Sequence, residues 1–200
     1  MAQPQLWVIA GPNGSGKTTL AQRYFKDKLP VVNPDEIAKE LDPNDPHQLK
    51  TATKAGKLAA KQRKDYLGQS KSFAFETTFS GKGELALMQK ARDFGYKVNL
   101  VFISTSSPTI SRGRIRQRVS DGGHHVPSQD VIRRYHRSLD NLPQGLAVAD
   151  RAFILDNSQS RLRLLLSREN QKIKTLTRTQ PVWLSNLSLG FELKKSNDNE

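Results

Sequence analysis

In this 200-residue chain, the stretch whose residue types and spacing most directly imply chemistry is Gly11-Pro12-Asn13-Gly14-Ser15-Gly16-Lys17-Thr18-Thr19. Gly-x-x-x-x-Gly-Lys-Thr is the pattern of a phosphate-binding P-loop, and here it follows an apolar run and precedes a helix-compatible one. Glycines let the backbone wrap a phosphate and turn several N–H groups toward it. The helix that follows adds its positive N-terminal end. Gly11, Pro12, Asn13, Gly14, Ser15, Gly16, Lys17, Thr18 and Thr19 are thus the expected nucleotide-binding residues. Lys17 would reach the β- and γ-phosphates, and the Thr18 hydroxyl would bind Mg2+. ATP is the expected nucleotide, with GTP as the alternative.

Phosphoryl transfer needs the γ-phosphate held, its charge neutralised and an acceptor hydroxyl aligned. A carboxylate within reach of that hydroxyl would serve as base. Asp35 is placed for this, in Asn33-Pro34-Asp35-Glu36, just past a short apolar run. Glu76-Thr77-Thr78 follows another such run and offers a carboxylate and two hydroxyls to a substrate or to a Mg2+-bound water. The plainer alternatives are a first-turn acid favoured by the helix dipole for Asp35 and a strand-end turn for Glu76 to Thr78. Charge neutralisation would come from arginines. Among Arg112, Arg114, Arg116 and Arg118, helical spacing puts Arg114 and Arg118 on one flank of the Ile115–Val119 face and Arg112 and Arg116 on the other. Arg114 and Arg118, with Gly122-Gly123 behind them as a hinge, read as a lid over ATP. The alternative is a solvated basic helix.

No strand ends in an apolar run followed by a metal-binding Asp. Asp156 after Phe153-Ile154-Leu155 comes closest, but Asn157-Ser158 reads as a turn. Metal binding is therefore expected to rest on Thr18, the phosphates and water. His124-His125 lacks companion ligands, and His47 and His136 are isolated; His124 is at most a hydrogen bonder in the lid loop.

The elements that must position these residues alternate. Apolar runs at 5–10, 29–33, 72–75, 96–103 and 151–157 read as strands. Residues 34–41, 47–69, 83–94, 108–120 and 128–142 read as helices, with Pro34 in a first turn and Ser128 as a cap. Residues 161–167 and 172–178 read as a hairpin around 168–171. The expected fold is α/β and P-loop kinase-like, a mainly parallel sheet flanked by helices with a C-terminal β-hairpin. One domain is expected over residues 1–193, with Trp183, Leu184, Leu187, Leu189 and Phe191 packing on its body and 194–200 as a polar tail.

Composition narrows the partners. The formal net charge is +13, which favours anionic ligands: nucleotides, phosphorylated substrates, nucleic acid or an acidic protein. Lys50, Lys54, Lys57, Lys61 and Lys64 line one face of the 47–69 helix, as a solvated surface or a partner-facing one. No aromatic residue interrupts that stripe, so stacking on single strands is unsupported. There is no cysteine, hence no disulfide or thiolate chemistry. No apolar run approaches the roughly 20 residues of a membrane span. No secretory leader is expected, and ATP-dependent chemistry makes a cytoplasmic location the natural one.

Taken together, Gly11 to Thr19, Asn33-Pro34-Asp35-Glu36-Ile37-Ala38, Glu76-Thr77-Thr78-Phe79-Ser80-Gly81, Arg114 through Arg118-Val119, Gly122-Gly123-His124-His125-Val126-Pro127 and Arg133-Arg134-Tyr135 occur in an order that resembles the small, stand-alone members of the zeta toxin family. The resemblance runs from about residue 5 to 157. It implies ATP/Mg2+-dependent phosphorylation of a hydroxyl on a UDP-activated amino sugar such as UDP-N-acetylglucosamine, and an acidic antitoxin as a partner. It further implies Asp35 as base, Glu76 as a substrate-binding carboxylate and Arg114 and Arg118 as lid arginines. The lid carries the Gly-Gly-His-x-Val-Pro form, spaced differently from that of the plasmid toxins. The long insertions of the larger toxins are absent. Another acceptor (a nucleoside, a polynucleotide end or an antibiotic hydroxyl) and a nucleic-acid-binding ATPase remain the alternatives.

Overall fold

The computed structural model describes residues 2–120, 122, 123, 126–170 and 172–187. His124, His125, Leu189, Phe191 and the 194–200 tail lie outside the described residues. Seven strands form one sheet in the order β2-β3-β1-β4-β5-β6-β7. These are β1 (Gln5–Ala10), β2 (Val31–Val32), β3 (Phe73–Thr77), β4 (Lys97–Ser104), β5 (Arg151–Asp156), β6 (Arg163–Glu169) and β7 (Lys172–Leu176). β1 to β5 run parallel; β6 and β7 add antiparallel to the β5 edge. The helices are α1 (Lys17–Tyr24), α2 (Pro34–Leu41), α3 (Leu49–Gly68), α4 (Gly83–Asp93), α5 (Pro108–Ser120), α6 (Ser128–Val148) and the short α7 (Val182–Ser185). This is the mainly parallel, helix-flanked architecture expected from the alternating runs, hairpin included.

Side-chain alternation along the strands splits the core into two faces. On one, Leu6, Val8, Phe73, Phe75, Leu100 and Phe102 meet Ala59 and Leu67 of α3, Met88 and Ala91 of α4, and Tyr135, Leu139, Leu142 and Leu146 of α6. Trp183 and Leu184 of α7 join this face, with the Trp183 ring 6.3 Å from that of Phe102. On the other, Ile9, Ala74, Val101 and Ile103 meet Leu20 and Ala21 of α1 and the following Phe25. A smaller cluster of Ile115, Val126 and Val131 pins α5 to α6.

Three local details depart from the sequence expectations. α6 continues through Pro143 to Val148 instead of ending near 142. A proline inside a helix removes one hydrogen bond, but Leu142 just before it and Gly145 and Leu146 beyond it are buried, and that packing carries the helix on. The residue before α6 is Pro127, and no side chain caps its start, so Ser128 is the first helical residue and not its cap. Arg168 and Glu169 belong to β6, not to the hairpin turn. Arg168 is buried there, donating to the carbonyls of Leu146 and, at 3.0 Å, Ala149.

Candidate functional site

β1 lies between β3 and β4, so its C-terminal end opens where the chain leaves the sheet in two directions. In open α/β sheets such a switch point is where ligands bind. The glycine loop occupies it. Gly11 has φ +141°, and a Cβ there would come within 2.0 Å of the Ile103 carbonyl oxygen, so only glycine fits. The loop is held from the far edge as well: Asn157, the residue after β5, donates its Nδ2 to the Ser15 carbonyl at 2.8 Å. Lys17 folds back to donate to the Pro12 carbonyl at 2.8 Å. Burial lowers the Lys17 pKa from its ordinary 10.5 to about 8; Glu76 and Asp35 oppose that fall and Arg118 adds to it. Ser15 Oγ and Asn13 Oδ1 are buried in the same loop with no hydrogen-bond partner.

Glu76 comes from β3, the strand beside β1, opposite Ile9. Its Oε2 accepts from the Thr18 hydroxyl at 2.8 Å and its Oε1 from Asn33 Nδ2 at 2.9 Å. Burial raises its pKa; the Thr18 hydrogen bond, the Lys17 charge and the Asn33 hydrogen bond oppose that rise, while the Glu36 charge adds to it. Asn33 is the N-cap of α2, its Oδ1 accepting from the Asp35 N–H at 2.9 Å. One buried side chain therefore fixes Glu76 and the helix start that carries Asp35. Asn33 was visible in the sequence only as the residue before Pro34. Its cap role follows from that position; its hold on Glu76 requires the tertiary fold.

Lys17, Thr18, Thr19, Asp35, Glu76, Thr77, Thr78, Arg114 and Arg118 all line one cleft of about 620 Å3, together with Asn13, Gly14 and Gly16. Gly11, Pro12 and Ser15 lie beneath it as buried loop residues. Asp35 is exposed on the first turn of α2. Arg114 points back at the loop, its Nη1 3.5 Å from the Gly14 carbonyl oxygen. Arg112 and Arg116 line a separate hollow between α5 and α6. The Thr77 hydroxyl donates to Glu84 Oε1 at 2.9 Å and accepts from the Phe79 N–H, while Thr78 pairs with Ser80. That loop is fastened from α6, where Asn141 Nδ2 donates to the carbonyls of Phe79 and Gly81 at 2.9 and 3.1 Å.

The cleft also contains Arg63 of α3, Glu84 of α4 and Asn157, none of which the sequence singled out. Arg63 sits among the basic residues of α3, whose Lys50, Lys54, Lys57, Lys61 and Lys64 are all exposed. Nothing local separates it from them.

Thr18 and Glu76 are suited to a divalent cation. A hydroxyl and a carboxylate are hard oxygen donors of the kind Mg2+ takes alongside nucleotide phosphates and waters, and the 2.8 Å between them brings both to one spot at the loop's rim. Among the described residues no group of three or more His, Cys, Asp or Glu side chains could hold a metal by itself. No described helix is long and apolar enough to cross a membrane.

Comparison with known proteins agrees with this layout. A family model described as an AAA domain matches residues 6–142. An uncharacterized protein of Haemophilus influenzae is 32% identical over 145 residues, 68% of this chain and all of that protein. Among solved structures, a chain of the AvrRxo1-ORF1:-ORF2 complex with ATP superimposes with a TM-score of 0.69 at 17% identity, covering 86% of this chain and 60% of the other. A chain of the PezAT chromosomal toxin-antitoxin system of Streptococcus pneumoniae does so with a TM-score of 0.59 at 20% identity, over 78% of this chain and 69% of the other. This chain thus spans about three-fifths of the AvrRxo1 chain it resembles in fold. Its P-loop, its kinase-like sheet and the family match over most of its length place the chain in the AAA-domain family of P-loop proteins.

Proposed function

We propose that this chain is an ATP- and Mg2+-dependent phosphotransferase acting on an alcohol hydroxyl of a small molecule. One observation carries the reading: Glu76 joins the P-loop threonine to the wall that bears Asp35, so donor and acceptor halves share one cleft. The loop N–H groups, Lys17 and the start of α1 would hold the β- and γ-phosphates. Thr18 and Glu76 would hold the metal, which when bound neutralises phosphate charge. Asp35 would orient the acceptor hydroxyl and take its proton as the oxygen–phosphorus bond forms and the bond to the leaving ADP breaks. Arg114 and Arg118, on α5 above the loop, would stabilise charge on the transferring group; an arginine so used is worth about 10³–10⁵ in rate.

The zeta toxin resemblance supports a UDP-activated amino sugar such as UDP-N-acetylglucosamine as acceptor. The fold likeness to the PezAT and AvrRxo1 complexes supports a protein partner, and the net charge of +13 favours an acidic, antitoxin-like one. The reaction would then take place in the cytoplasm, where these substrates are made. Transfer from labelled ATP to a panel of UDP-sugars, nucleosides, polynucleotide ends and hydroxylated antibiotics tests the reading. Transfer to one class, lost in Lys17→Ala, supports it; hydrolysis with no transfer to any member contradicts it.

A further inference from the structure

Phe75 and Thr77 alternate with Glu76 along β3 and so share the opposite face of the sheet, the one covered by α3 and α4. On that face Arg63 stands over the buried Phe75 ring, its guanidinium carbon 5.1 Å from the ring centroid. Its other electrostatic neighbour is Glu84, whose Oε1 is already taken by the Thr77 hydroxyl. Among the described residues no hydrogen bond or ion pair reaches the Arg63 guanidinium. Burial lowers its pKa, and the Glu84 charge offsets only part of that. Half-buried at the cleft wall, its five donors meet solvent and no protein acceptor, and so can turn to an anion entering the cleft. The ring face fixes the guanidinium without using any of those donors.

Arg63 and Glu84 line the main cleft and also a second hollow of about 310 Å3 between α3 and α4, where Lys64 and Lys90 are further wall residues. The acceptor end of the cleft thus continues, past Arg63, into a groove whose cations outnumber its single acid.

We propose that Arg63 is a specificity-determining residue, and that the acceptor carries an anionic group, phosphate or carboxylate, which Arg63 binds in its planar fork while the reacting hydroxyl lies at Asp35. Arginine presents paired donors that match either anion. The inference deepens the phosphotransferase reading and names a class of acceptor for the same cleft; the test separates the two.

With the P-loop filled by a non-hydrolysable ATP analogue and Mg2+, calorimetric titration compares N-acetylglucosamine, its 1-phosphate and glucuronate, in the wild-type chain and in Arg63→Gln and Arg63→Lys. A charge-assisted hydrogen bond to an arginine corresponds to an affinity preference of about 10- to 150-fold for the charged ligand. That preference is expected in the wild type, is expected to fall to near unity in Arg63→Gln, and is expected to be partly kept in Arg63→Lys. Whichever charged ligand retains it identifies the anion. Absence of a preference in the wild type, or a preference unchanged in Arg63→Gln with its melting temperature intact, overturns the inference. Because the titration involves no turnover, failure of phosphate transfer in the panel would strike the enzymatic reading and leave this result standing.

Discussion

Glu76→Gln tests how the two halves of the cleft are joined. Both carboxylate oxygens of Glu76 are in use, one by Thr18 and one by Asn33. Glutamine keeps one acceptor oxygen and turns the other into a donor, so it can satisfy Thr18 or Asn33 but not both in their present orientations. One hydrogen bond to a charged acceptor is lost, about 1.5–3 kcal/mol, or roughly 10- to 150-fold. If Glu76 helps hold the metal, the loss should fall on Mg2+: the half-saturating Mg2+ concentration, read from initial transfer rates at saturating acceptor, should rise by that factor. The acceptor KM should move by less than about threefold. A second effect follows from charge. Glu76 is the strongest influence opposing the fall of the Lys17 pKa, so its neutralisation should push that pKa further below about 8. ATP is bound better by the protonated amine, so the pH at which ATP affinity begins to weaken should move downward in the variant. An acceptor KM that rises while the Mg2+ curve stays in place would refute the argument and put Glu76 on the substrate instead.

The remaining predictions concern the same cleft and its supports. Because folding lowers the Lys17 pKa, the folded chain holds fewer protons than the unfolded one between pH 8 and 10.5, and stability should rise with pH across that window. Lys17→Met should abolish transfer, flatten that slope in chemical denaturation, and stabilise the fold at pH 7 by at most about 3 kcal/mol. Asp35→Asn should cut the transfer rate by about 10²–10⁴ with the ATP Kd unchanged; an unaltered rate removes Asp35 as base. Asn141→Ala would leave the Phe79 and Gly81 carbonyls without their donor, at about 2 kcal/mol, and should lower the melting temperature by about 4–8 °C while raising the acceptor KM. Replacing Lys50, Lys54, Lys57 and Lys61 by glutamine should leave transfer unchanged. If these exposed lysines instead bind nucleic acid, binding measured across salt should be steep in the wild type and shallower in the variant.

What the sequence made legible was what is local. Gly11 to Thr19 encodes its own conformation, because a loop this short needs glycine where a Cβ would strike the neighbouring strand, and Gly11 against Ile103 is such a place. The strand and helix periods gave the sheet and its hairpin for the same reason. Asp35 and Glu76 could be placed at strand ends, but that Glu76 would bond to Thr18 depends on β3 lying directly beside β1, a pairing of residues 58 apart that no spacing announces. α6 shows the opposite failure: Pro143 is a local stop signal, overridden by burial of the turn beyond it. Arg63 is the sharpest instance. In the sequence it is one more cation beside Lys61 and Lys64, next to a basic stripe that reads as a solvated or partner-facing surface. In the fold those lysines are exposed, whereas Arg63 turns inward over Phe75 and reaches the cleft. Charge is a property of the residue, but a place over Phe75 and in the cleft is a property of its surroundings. That place arises only once α3 has packed on β3, which is why the glycine loop is written in a motif and the position of Arg63 is written in the packing.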